Sequence, residues 1–351
     1  MLLAPHFFRW PVTVSINGTT TQVSYGTTLS RAALGTLDRS QLYGDLLSVD
    51  GEVFESYGGQ APVFYVNGSP RDGESPVRRK ITISVERGAD TVEASDVVQV
   101  AVEPELNRRG TGPLRQVVEP GSVGIIEQTV GRRSGVIVDA RELTAAQPVT
   151  VSQLAYSGET KIIALTFDDG PHPVHTPELL DLLSELEVSA TFFVTGLEVR
   201  RNPAIAQRIV AEGHQIANHS YGHPNYTNLD YDQKREDFLS AQDRIEDATG
   251  IRPAWVRPPY GLANSSTYSM LGSEMLIAHW TIDPVDWRRP GTGSIHRRVV
   301  ERAHPGAIVL LHDGGGNREQ TVSAVRLIIE DLREEGYRFV TVAQLYSHIS
   351  E

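Results

Sequence analysis

From Ile162 onward, apolar runs of about five to seven residues alternate with amphipathic stretches of helical period, and this alternation restricts the chain more than any other feature. It is the pattern of a parallel α/β sheet or barrel. The runs fall at 162–167, 190–194, 214–218, 254–256, 275–280, 307–311 and about 338–342. Between the first two, Leu179, Leu182, Leu183 and Leu186 space a buried stripe behind Thr176-Pro177-Glu178, which predicts a helix capped by Thr176 with Pro177 in its first turn. Asn202-Pro203 starts another helix, and a charged one runs over 232–249 to stop at Gly250. Seven βα repeats with short connections predict an α/β fold, a distorted (β/α) barrel of about seven strands rather than the complete eight-stranded one.

Residues 1–155 are written differently. Alternating residues over 12–16, then Asn17-Gly18, then a second alternating run to Tyr25 predict a hairpin with a tight turn. A short helix capped by Thr28 follows, so the order strand, strand, helix suggests a β-grasp-like domain over 1–102. Residues 103–155 read as a β-rich module or linker punctuated by Gly110, Gly112, Gly121, Gly124, Gly131 and Gly135, and the third part is 156–351. The two N-terminal parts resemble ubiquitin-like modules and the glycine-named wall-associated modules of Gram-positive surface proteins, which implies a non-catalytic, positioning role.

Composition narrows the chemistry. The chain has no cysteine, which excludes disulfides, cysteine-held zinc, iron-sulfur clusters and thiol catalysis, so a metal would have to rest on His, Asp or Glu. A net charge of -12 argues against nucleic acid as a partner, since that binding uses Lys and Arg to neutralise phosphates. Of the 11 histidines only His6 precedes residue 156, so acid-base or metal chemistry is expected in the third part. No 18-residue apolar run occurs, and Met1 to Trp10 lacks the basic start and long apolar stretch of a secretion signal.

The unusual polar clusters sit after the predicted strands: Asp168-Asp169, His219 with His223, Arg257, Asp283 with Asp286, and His312-Asp313. In a βα barrel those loops share one face. His219 and His223, four residues apart, are spaced to reach one cation, although a chance pair is common among eleven histidines. Adjacent carboxylates at a strand end also serve as a cap. If Asp169 turns toward the imidazoles, a His-His-Asp triad with open positions results, and Asp168 beside it becomes a candidate general base.

Thr166-Phe167-Asp168-Asp169-Gly170-Pro171, His219-Ser220-x-x-His223, Arg257-Pro258-Pro259-Tyr260-Gly261, Asp283-Pro284-Val285-Asp286-Trp287 and Leu310-Leu311-His312-Asp313-Gly314 resemble the five successive motifs of the NodB-type polysaccharide deacetylases, carbohydrate esterase family 4. The resemblance covers roughly residues 160–345. It implies a divalent metal, zinc first, on Asp169, His219 and His223, with Asp168 as base, His312 as acid and the Tyr260 backbone amide in an oxyanion site. It further implies Arg257 pairing with Asp168, Asp286 supporting His312, Trp287 and Leu310 walling a pocket for the acetyl methyl, and Ser220 holding the metal loop.

The implied activity is a metal-dependent hydrolase that removes N-acetyl groups from GlcNAc in a β-linked polysaccharide or oligosaccharide, peptidoglycan first and chitin oligomers second. The substrate's place implies an extracellular or wall-associated protein. The alternatives are an O-acetyl esterase acting on xylan and an inactive glycan-binding wall protein, which would need neither Asp168 nor His312.

Overall fold

The computed structural model describes residues 10–350; the stretch 1–9, most of the segment read for a secretion signal, lies outside the described residues. Residues up to Ala101 together with Ile125–Thr144 form one compact unit, and Val102–Gly124 together with the residues from Ala145 on form a second. No helix among the described residues is long and apolar enough to cross a membrane.

In the first unit the hairpin Val12–Ile16 and Thr19–Val23 turns at Asn17 and Gly18, whose φ angles of 48° and 88° match the two-residue turn that twisted antiparallel strands favour. The Thr28 side chain accepts the Arg31 amide and starts the helix Leu29–Leu34. Val12–Ile16 lies parallel to Ile81–Glu86, and Val63–Val66 pairs antiparallel on the far edge of that strand. Val14, Ile16, Leu29, Ala33, Phe64 and Ile83 are buried between sheet and helix. Two three-stranded sheets complete the unit, one in the order Ile137–Thr144, Gly124–Gly131, Ser95–Val102 and one in the order Val53–Glu55, Leu46–Leu47, Thr91–Val92.

In the second unit every expected strand is present, though Trp255–Val256 and Arg338–Phe339 keep only two residues each. Thr191–Val194, Gln215–Asn218, Trp255–Val256 and Leu276–Ala278 follow one another in parallel from one edge of Ile162–Asp168, while Ala307–His312 takes its other edge. The closed seven-stranded barrel is not found: among the described residues the ladders form an open path. Strand edges explain the departure. Ala307–His312 occupies one edge of the central strand from Ile163 to Asp168, so Arg338–Phe339 pairs at Ile162 and Ile163 on the edge that Thr191–Val194 uses higher up. A single bridge, Ile282 to Val309, links the chain beyond Leu276–Ala278 to Ala307–His312.

The central strand is buried throughout. Its period of two sends Ile163, Leu165 and Phe167 into the core under the helices, and Ile162 and Ala164 toward Phe193, Ala217 and Ile308. Thr166 and Asp168 continue the second series, so register alone aims Asp168 to the same side as Ala164.

Two expectations need correction. Residues 103–155 are not a module apart: Leu106–Gly110, Leu114–Glu119 and Val149–Leu154 join the larger sheet, whereas Ile125–Thr144 belongs to the first unit. Burial accounts for this, because Leu114, Val117, Val149 and Val151 are at most 1% exposed in the second unit's core. Thr176 is not a helix cap. The helix is His175–Glu185, preceded by Val174, and the buried Thr176 hydroxyl accepts the His172 amide and donates to Asp313.

Candidate active site

The loops after the strands converge on one cavity of about 490 Å³, whose lining includes Asp168, Asp169, His219, His223, Tyr260, Trp287, Leu310 and His312. Strain gathers around it. Ten non-glycine residues have positive φ among those described, and six of them, Asp169, Ser220, His223, Tyr260, Val285 and Arg289, lie in these loops. Such conformations cost free energy and persist where the surroundings over-determine them, as functional sites do.

Asp169, His219 and His223 each present one ligand atom, and these atoms lie within 4.8 Å of one another. Asp169 Oδ1 stands 3.3 Å from His223 Nε2 and 3.6 Å from His219 Nε2. That oxygen is buried and has no hydrogen-bond donor, an arrangement that a cation would satisfy. His219 Nδ1 donates to the Arg257 carbonyl at 2.7 Å, which turns Nε2 toward Asp169 and fixes the tautomer as metal-ligating imidazoles require. Burial pushes the His219 imidazole down to about 3, so its nitrogen is free to ligate at neutral pH. The Ser220 hydroxyl accepts the His223 amide at 2.9 Å and closes the loop between the two imidazoles. The residues fit a divalent cation with three protein ligands and open positions for other groups.

On one side of this triad stands Asp168, 3% exposed. Its Oδ1 accepts from Arg257 Nη1 at 2.7 Å, and its Oδ2 lies 3.7 Å from His219 Nε2. Arg257 is fully buried, and all three of its nitrogens are bonded: Nη1 also donates to Thr166, Nε to the Ala278 carbonyl at 2.9 Å and Nη2 to the His279 carbonyl at 3.1 Å. Its guanidinium carbon packs 4.1 Å from the centre of the Phe193 ring. A buried charge is tolerated when it is paired and bonded in this way. Burial raises the Asp168 carboxyl above its ordinary value, and the guanidinium opposes that rise.

On the other side His312 Nδ1 contacts Asp286 Oδ1 at 2.7 Å. Asp286 is wholly buried, and its Oδ2 accepts the His312 amide at 3.0 Å and the Thr321 hydroxyl at 2.9 Å. Burial lowers the His312 imidazole, but the Asp286 hydrogen bond and the charges of Asp286, Asp168 and Asp169 outweigh it, and the net shift is upward. Tyr260 is exposed, with φ 59°, and its ring meets His223 edge-on at 4.6 Å. Its amide finds no backbone acceptor among the described residues. Leu310 is 5% and Trp287 45% exposed on the cavity wall.

All ten residues singled out for the site therefore meet at one cavity or support a residue that does. Sequence reasoning missed Trp280 and gave Asp283 no role of its own, yet both line the cavity. It also missed Thr166, although period two places that residue on the Asp168 face. Thr321 carries no local signal, lying on a helix 35 residues from the carboxylate it supports. Asp313 is buried with one oxygen unpartnered, and burial and the Asp169 charge raise it to about 7 against the Thr176 hydrogen bond. Of the histidines left out of the site, His296 pairs with Asp331 at 2.7 Å.

The polysaccharide deacetylase family model matches residues 155–276. A peptidoglycan-N-acetylglucosamine deacetylase of Bacillus cereus is 42% identical over 193 residues, which are 54% of this chain and 90% of that protein. A chitooligosaccharide deacetylase of Bradyrhizobium is 38% identical over 200 residues, 53% of this chain and 91% of that protein. The solved structure of peptidoglycan deacetylase PdaC from Bacillus subtilis is similar with a TM-score of 0.51 and 39% identity, covering 54% of this chain and 91% of that one.

Proposed function

Since the chain belongs to the polysaccharide deacetylase family, we propose that it is a metal-dependent hydrolase removing N-acetyl groups from GlcNAc residues of a β-linked polysaccharide, peptidoglycan before chitin oligomers. The observation that carries this reading is the unpartnered Asp169 oxygen facing two imidazole nitrogens, with Asp168–Arg257 on one side and His312–Asp286 on the other. A base and an acid on either side of a cation site are what hydrolysis of an amide needs and what a glycan binder lacks.

Asp169, His219 and His223 would hold the cation, zinc by the chemistry of the donor set. A divalent cation bound there supplies Lewis acidity toward a carbonyl and makes a coordinated water more acidic. Asp168 takes the water's proton on Oδ2, because Oδ1 is engaged by Arg257. The Tyr260 amide donates to the developing oxyanion. His312 keeps a proton on Nδ1 for Asp286 and gives one from Nε2 to the departing amine, too basic a leaving group unless protonated. Trp287 and Leu310 enclose the acetyl methyl.

Peptidoglycan stands first because the relatives named for it reach 42% identity. That substrate would place the protein outside the cell or at the wall, with residues 1–102 non-catalytic. Incubation with defined GlcNAc oligomers, peptidoglycan and acetylxylan, with acetate measured, tests the reading. Acetate is expected from the first two. Its absence from every GlcNAc substrate would sink the proposal, and release from acetylxylan alone would make the protein an O-acetyl esterase.

A further inference from the structure

Arg257 owes its place to two backbone carbonyls, Ala278 and His279, as much as to Asp168. Those carbonyls end the strand Leu276–Ala278, which has Trp255–Val256 on one edge. Its other edge is taken by a segment that precedes the family match at residue 155: Leu114, Arg115 and Gln116 pair antiparallel with Ala278, Ile277 and Leu276. His279 is bound on both sides of its residue, its amide donating to the Pro113 carbonyl at 2.8 Å while its own carbonyl receives Arg257. A strand of three residues has little pairing of its own, so the second partner contributes much of what keeps those carbonyls in position.

The same segment grips the other flank of the Tyr260 turn. Glu103 accepts from Asn264 Nδ2 at 3.0 Å, Ser265 Oγ at 2.7 Å, and Ser266 N and Oγ at 2.8 and 2.6 Å. These residues open the helix Ser265–Leu271, a few residues beyond the turn Pro259–Gly261. Lys234, wholly buried, joins the cluster through Nζ to Ser266 Oγ at 2.7 Å, and the carboxylates of Glu103 and, after it, Asp230 balance its charge. Tyr260 holds a left-handed φ that a bulky residue does not choose, which requires both flanks of its turn to be anchored.

We infer that residues 102–119 are a positioning element of the catalytic site, with Glu103 its principal positioning residue, holding the backbone that sets Arg257 and the Tyr260 amide. The roles of Arg257 and Tyr260 rest on the reading proposed above, but the anchoring can be tested without substrate. Displacing a catalytic group by about 1 Å costs up to a hundredfold in rate, so a loosened flank is read in kcat rather than in binding.

Amide hydrogen exchange on the full chain is the first measurement. The Ser266 and His279 amides are expected to be protected like those of the sheet, and exchange at exposed-loop rates would overturn the inference outright. Glu103→Ala should then speed exchange over 262–268 about tenfold and lower kcat roughly three- to tenfold, with KM within about twofold. Glu103→Gln, which keeps an acceptor for the Ser266 amide, should restore most of kcat, and Glu105→Ala, a neighbouring exposed side chain, should match the parent. A folded Glu103→Ala protein with parental kcat and exchange would refute the assignment, and if that variant does not fold, the exchange pattern of the parent decides. Absence of acetate release by the parent would overturn the proposed activity while leaving the exchange result to stand or fall by itself.

Discussion

Asp168 and Asp169 are neighbours in the chain with different surroundings, and backbone geometry separates them. Asp168 ends a buried strand and points to Arg257, whereas Asp169, at φ 74°, turns toward the two imidazoles. Asp168→Asn should therefore keep the cation while lowering kcat by about 10²–10⁴-fold, read by metal analysis beside turnover. In the proposed role His312 must carry a proton to serve as acid, so activity should be present below its pKa and lost as pH rises through it. Because the net shift is upward, the alkaline limb of kcat/KM should lie above the ordinary imidazole value. Asp286→Asn removes the hydrogen-bonded carboxylate that does most to raise it and leaves only the charges of Asp168 and Asp169 against burial, so that limb should move to lower pH. A rate that keeps climbing at alkaline pH would remove His312 from the role. Every one of these residues was legible in the sequence because the motifs are local; Thr321 and the carbonyls of Ala278 and His279 were not, since each meets its partner only through the fold.

At the scale of elements, short loops hold the site because strand ends and glycines leave them few alternatives. Gly314 is the clearest case. A Cβ there would stand 2.1 Å from the Asp169 carbonyl oxygen and 2.3 Å from its carbon, backbone atoms that cannot swing aside. Gly314→Ala should displace Asp169 and weaken the proposed divalent-cation binding at least tenfold, measured by calorimetric titration of metal-free protein. The strand-and-helix alternation predicted these elements well, down to Gly250, which ends its helix at φ 73°. Thr176 shows where a local rule fails: the residue suits a cap, but Asp313, 137 residues away in sequence, claims its hydroxyl. A propensity describes what a side chain can do nearby and cannot weigh a buried partner that arrives from another loop.

At the scale of the whole molecule, the boundary drawn near residue 155 cuts through a core. Leu114 packs with Ile162, Ala164, Phe193 and Ala278, and Val117, Val149 and Val151 pack with Val256, Tyr268 and Ile277. Leu114→Ala should cost about 2–5 kcal/mol in thermal or denaturant unfolding, whereas Ile137→Ala, at a position 51% exposed, should cost little. Equal losses at the two positions would mean that the segment adds no core to the second unit. The sequence by itself determined the α/β class, the order of the strands along the chain and the ten residues of the candidate site, because hydrophobic period and motif spacing are properties of neighbours. Only the tertiary structure decided that the sheet stays open, that residues 103–155 divide between two units, and that Leu114–Gln116 lie beside Leu276–Ala278. Strand pairing joins residues 160 or more apart, and which edge is free to accept a partner depends on what already occupies the other.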